Sequence, residues 1–188
     1  MSEPPRAPVP ERNKRLERRL ASAEASLRQK TDVEEIRAFT LDGTELPRHT
    51  SKQCDAVYIS YEVGERYRDA VVTHNHPSKG VGLSLLDIGA ALDYGWAEVR
   101  AVDAKRKIYT YSLQRPAEGW GTRAAFENAW RVVSGHVEAA FGYRIATGRM
   151  TREQAAFERQ HETLKRVAKL LGWNYQRTIG GWNGTNDD

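Results

Sequence analysis

A single cysteine, Cys54, in 188 residues excludes an internal disulfide. A chain that cannot be stapled in this way suits a reducing compartment. Long apolar runs are missing too. None approaches the roughly 20 residues needed to cross a bilayer, and the stretch MSEPPRAPVPERNKRLERR has no apolar segment of the secretion-signal kind. These absences predict a cytoplasmic chain with no membrane association. A surplus of one charge is also absent over most of the length. Lys and Arg number 29 against 25 Asp and Glu; residues 1–31 hold eight of those bases and four of those acids, which leaves 21 of each sign in residues 32–188. The whole excess of +4 therefore sits in an N-terminal arm. Such an arm can attract nucleic acid, or it can simply be the solvated face of an amphipathic helix.

What is present is a modest apolar fraction, 39%, beside 29% charged residues, which fits one domain with appendages better than two domains. Residues 1–10 contain four prolines and predict a start without fixed structure. From Arg12 to Arg28, Leu16, Leu20, Ala23 and Leu27 recur at helical spacing and form one narrow apolar stripe. EEIRAFTLDGTEL then reads as a strand, an Asp42-Gly43 turn and a returning strand. DAVYISY is too short to assign. AVVTHNH is β-rich and ends at Pro77, KGVG reads as a flexible loop, and a helix is expected from Ser84 to about Gly95. AEVRAVD and KIYTYSL read as a strand hairpin.

After Pro116 the period becomes helical. Phe126, Trp130, Val133, Val137 and Ala140 form one stripe, and Phe157, His161, Leu164, Ala168 and Leu171 form another. Thr151 and Gln154 make a capping box for the second helix. The expected organisation is a Pro-rich start plus basic helix at 1–31, an α/β domain at 32–116, an antiparallel helical hairpin at 117–175 and a flexible tail at 176–188.

The chemistry concentrates in THNHPSKGVGLSLLD, residues 73–87. Alternate side chains of a strand share a face, so His74 and His76 point together and Asn75 points away. Pro77 lacks a backbone donor and suits the strand's end. Asp87 falls in the first turn of the next helix, which can aim its carboxylate at the imidazoles. Two neutral histidines and one carboxylate suit Zn2+ with a fourth position open, as in catalytic rather than structural zinc sites. The same residues also have plainer uses. Ser84 and Asp87 form an S-x-x-D capping box that needs no metal, and two histidines on one strand face can be exposed polar residues.

H-x-H, ten residues and an Asp, with Ser three before that Asp, resembles the JAMM (MPN-plus) metalloprotease motif. That family includes deubiquitinases of the proteasome lid and bacterial isopeptidases. RadC-type proteins carry a similar string. The resemblance spans roughly residues 33–113, and the flanking helices receive no support from it. It implies a deaminase-like JAMM fold, a mixed sheet flanked by helices, with the basic helix and the helical hairpin attached. It implies His74, His76 and Asp87 as zinc ligands, Ser84 as an oxyanion donor, and an upstream glutamate as general base toward the attacking water. Glu34 and Glu35 compete for that last role; they lie on opposite faces of a strand, so only one can reach the metal. Counting back from Gly43 favours Glu34. The bond cleaved would be a peptide or isopeptide amide in a protein substrate, either ubiquitin-like or a phage or bacterial protein. The chain lacks the Asp-His pair of RadC-type proteins and is more similar to JAMM domains of phages, mobile elements and toxin systems.

Other residues have weaker claims. His161 lies within an apolar stripe and reads as a core or interface histidine, and His49 and His136 stand outside any motif. Cys54 has no histidine partner set by spacing. Trp120, Trp130, Trp173 and Trp182 read as packing residues with Trp96, and Gly180-Gly181 as an ordinary tail pair. The hairpin's apolar faces would serve a homodimer or an assembly partner. Two rivals stand beside the hydrolase: a non-catalytic adaptor of the same fold, and a RadC-like nucleic-acid-associated protein acting through its basic arm.

Overall fold

The computed structural model describes residues 13–50, 59–77, 82–104 and 109–179. The proline-rich start, Cys54, most of DAVYISY, the 78–81 part of the loop and the Gly180-Gly181 tail lie outside the described residues. Among those described, five helices flank one six-stranded mixed sheet of order β2-β1-β3-β4-β5-β6. Among the described residues, no helix is long and apolar enough to cross a membrane.

The centre of the sheet is a crossover unit. β3 (Val71–His76) runs into α3 (Leu85–Tyr94) and then into β4 (Glu98–Asp103), which pairs parallel to β3. Parallel neighbours need such a connection. β1 (Glu35–Phe39) lies antiparallel on the other side of β3, and β5 (Tyr109–Gln114) antiparallel to β4. The Asp42-Gly43 turn forms as its sequence requires, with Gly43 at φ 86° and Asp42 accepting from the Thr44 amide. The return from it is a single bridge, Phe39 to Glu45, followed by the short β2 (His49–Thr50). The short α2 (Tyr61–Arg66) precedes β3.

α1 (Lys14–Leu27) starts at an Asn13 cap and buries the expected stripe of Leu16, Leu20, Ala23 and Leu27. It covers one face of the sheet, against Phe39 and Val71. The basic arm is thus partly built into the body. Arg28 is buried and bonds Thr110, and Glu24, fully buried, holds Arg100 of β4 at 2.5 Å. Glu98 holds the same guanidinium at 2.8 Å.

The other face carries the larger core. Ile36, Val72, Val99 and Leu113 from four strands meet Ile88 and Trp96 from the α3 region. Phe126 of α4 (Arg123–Ala146) and Leu164 and Ala168 of α5 (Arg152–Leu171) enter the same cluster. The helical pair is therefore not a separate appendage to residues 32–116, because its apolar faces complete that domain's core. The α4 stripe turns slightly from the expected one. Phe141 is buried and Ala140 exposed, since the larger side chain one position on fills the gap against Val137 and Ala155. The expected tail boundary at 176 also fails, because β6 (Asn174–Ile179) pairs along the whole of β5, from Tyr109↔Ile179 to Gln114↔Asn174. The αL turn at Gly172 reverses the chain out of α5 and delivers it to that sheet edge.

Candidate metal centre

The centre forms where β3 ends, between the sheet and the first turn of α3. Ligands of open α/β sheets gather beyond the carboxyl ends of strands in the same way. His74 is paired with Ile36 of β1 and Ala101 of β4. Strand parity puts His74, His76 and the apolar Val72 on the α3 face of the sheet, and Asn75 on the α1 face. The two imidazole rings meet edge to face at 68°, and their Nε2 atoms stand 2.9 Å apart.

Asp87 reaches both rings. Its Oδ1 lies 3.3 Å from His74 Nε2, and its Oδ2 lies 3.5 Å from His76 Nε2. The same carboxylate closes the helix cap. Ser84 N donates to Asp87 Oδ2 at 2.6 Å, and Asp87 N donates to Ser84 Oγ at 3.2 Å. The capping use and the cluster use of Asp87 thus coexist, because the box leaves Oδ1 turned to the imidazoles. Burial disfavours charge on Asp87, yet the two histidines beside it hold its carboxyl well below the usual carboxylate range. Ser84 Oγ accepts that bond, and the residue lines a neighbouring cleft with Trp130 and Gln160.

Glu34 and Glu35 part company here. Ile36 opposes His74, so the register continued by two residues sets Glu34 beside His76. A Glu34 carboxylate oxygen and one nitrogen from each imidazole all lie within 4.8 Å of one another. This buried group can hold a metal ion. Glu35 faces the other way and takes an ion pair from Lys30 Nζ at 2.5 Å. A cleft of about 320 Å³ adjoins the group. It shares Glu34, His74 and Asp87 and is otherwise walled by residues such as Ile36, Tyr94 and Trp96. Arg123 on that wall is ion-paired with Asp93 and, at 2.9 Å, with Glu127. The motif gives no sign of that wall, because Tyr94 and Arg123 come to the site only through packing of α3 on α4.

The remaining histidines stay outside. His49 opens β2 opposite Ile36, His136 is exposed on α4, and neither joins the group. His161 bonds the Tyr175 hydroxyl through Nδ1 at 2.8 Å. Burial, helped by the Arg177 charge, lowers its pKa to about 4. It is a half-buried packing histidine at the α5–β6 contact, held by Tyr175. No protein-family model matches this chain, and no curated protein or solved structure matches it significantly, so the reading of this centre rests on its own geometry.

Proposed function

We propose that the chain is a zinc-dependent hydrolase of the JAMM type that cleaves a peptide or isopeptide bond in a protein substrate. One observation carries the reading. At the end of β3 the two imidazole Nε2 atoms stand 2.9 Å apart, with Asp87 Oδ1 3.3 Å from that of His74 and Asp87 Oδ2 3.5 Å from that of His76. Donors held tetrahedrally at about 2.0–2.2 Å from zinc are spaced about 3.3–3.5 Å apart. The two carboxylate–imidazole separations match that spacing and the imidazole pair lies closer, so His74, His76 and Asp87 have the chemistry of a three-residue zinc set, with a Glu34 oxygen within 4.8 Å of a nitrogen of each imidazole. Such a set leaves one position open, as catalytic sites require. The deaminase-like arrangement of strand, loop and capped helix belongs to the same proposal.

Zinc held there would polarise the scissile carbonyl and lower the pKa of a coordinated water toward neutrality. The chain's own residues supply the remainder. Glu34 takes a proton from the attacking water as oxygen adds to the carbonyl carbon, then gives it to the departing amine as the C–N bond breaks. Ser84 donates its hydroxyl hydrogen to the oxyanion that develops on the carbonyl. The cleft walled by Ile36, Tyr94 and Trp96 receives the substrate beside the scissile bond and limits water there.

Metal analysis of the purified chain beside His76→Ala tests the proposal. The expected result is about one zinc per wild-type chain and none in a folded variant. Equal zinc in both, or none in the wild type, defeats the assignment.

A further inference from the structure

The middle residue of H-N-H has no part in the metal reading, yet its side chain is fully buried. On the α1 face of the sheet, Asn75 Oδ1 accepts from Glu35 N at 2.9 Å. Its Nδ2 donates to the Val33 carbonyl at 2.9 Å and to the Lys30 carbonyl at 2.8 Å. One amide orientation alone satisfies two carbonyls and one N–H, so the partners fix which end is which. Val33 and Glu35 are the two neighbours of Glu34 in the chain. The Asn75 amide therefore grips the backbone immediately before and immediately after Glu34, and Thr50 Oγ1 donates to the Glu34 carbonyl itself at 3.0 Å.

We infer that Asn75 is a positioning residue for Glu34, and that H-N-H orders both halves of the centre. The outer histidines face α3 and hold the cation. The inner asparagine faces α1 and fixes the segment from Lys30 to Glu35, so that Glu34 enters the cluster on the correct face. Glu34 precedes the first ladder residue of β1, where a free strand end would fray. Asn75 closes that end with side-chain bonds in place of a further backbone pair. The inference rests on the proposed hydrolase reading and adds a residue that touches neither cation nor substrate.

The test uses full-length Asn75→Ala and Asn75→Asp. The aspartate has the same size and still accepts from Glu35 N, but it lacks the amide donors and decides the matter should the alanine variant not fold. Partners that steady metal ligands cost about 10–100-fold in metal affinity when removed. The bonds of Asn75 go to the Glu34 segment instead, so Zn2+ affinity is expected to fall less than tenfold. In crystals of the zinc-loaded variants, His74, His76 and Asp87 should keep their places while the Glu34 carboxylate leaves the group. Amide exchange at Glu35 should quicken by about tenfold or more relative to Val72 in the same sheet. A folded variant that loses tenfold or more in Zn2+ affinity, or that keeps Glu34 in place with unchanged Glu35 exchange, overturns the inference while the hydrolase reading stands. Wild-type protein that takes up no zinc overturns both.

Discussion

Asp87 answers to two neighbours at once. One oxygen accepts from the Ser84 amide at the start of α3, and both stand close to the imidazoles of β3. Asp87→Asn separates the roles, because an amide oxygen can still cap a helix while a neutral side chain is a poor partner for zinc. Stability is expected to change by less than about 1 kcal/mol, while Zn2+ affinity falls at least tenfold, read by thermal unfolding and by metal titration. The reverse pattern would assign Asp87 to the helix alone. Ser84→Ala removes the hydroxyl that caps Asp87 N, at a cost of about 0.5–2 kcal/mol. It should leave zinc content intact, because Ser84 is no ligand. His161 gives a pH signature away from the centre. Its pKa of about 4 in the folded chain lies below the unfolded value of about 6.5. The unfolded chain therefore binds more protons between those values. The contribution of His161 is full above about pH 6.5, declines as pH falls through that window and levels off below about 4. Half-burial leaves solvent to screen the charge, so the loss is on the order of 1–2 kcal/mol. Denaturant midpoints of wild type and His161→Gln should converge as the pH falls from 7 to 4.5. A constant gap would show that His161 does not titrate in that window.

At the scale of elements, α1 is held by a buried charge. Arg100 lies between Glu24 of α1 and Glu98 of its own strand, and nothing exposed takes part. Removing one partner of such a pair leaves an uncompensated charge in the interior and costs about 3–5 kcal/mol. Glu98 still holds Arg100 in Glu24→Ala, so denaturant unfolding is expected to show a smaller loss, about 1.5–3 kcal/mol, the cost of one charged hydrogen bond. Deleting residues 1–31 would strip the sheet of this cover, so it is a poor test of the nucleic-acid rival. Reversing Arg15, Arg18 and Arg19, which are exposed on α1, leaves the buried stripe intact. If nucleic acid binds through this arm, the reversal should abolish a salt-sensitive interaction. The elements with strong local signals were legible before any coordinates: the α1 stripe, the Asp42-Gly43 turn, the Ser84 and Thr151 caps and the H-x-H strand. β6 was not, because NYQRTI is an edge strand with half-exposed side chains and no clean apolar alternation. The split between Glu34 and Glu35 needed a register with β3, which no local pattern carries. The backbone grip of Asn75 was hidden for the same reason. Parity turns it from the metal, but only the fold brings Lys30 and Val33 beneath it.

Across the whole molecule, the helical pair and β6 decide whether the motif-bearing region can stand alone. Trp120, Phe126, Leu164, Val167, Ala168 and Trp173 belong to one buried cluster with Ile36, Val72 and Trp96. Trp120 Nε1 also donates to the Trp96 carbonyl at 2.8 Å, which ties the start of the helical region to the turn after α3. β6 covers the outer edge of β5 along six register pairs. A chain ended at Pro116 would lose these side chains from its core and expose β5 as an unpaired edge, which invites association with other copies. The folded unit therefore extends well beyond the 32–116 boundary suggested by composition and motif. Full-length protein should unfold in one transition, with calorimetric and van't Hoff enthalpies equal. The 1–116 fragment should show no cooperative transition and should aggregate. A cooperative, monomeric fragment that binds zinc as the full chain does would show instead that the helices are an appendage to a self-sufficient metal-binding domain.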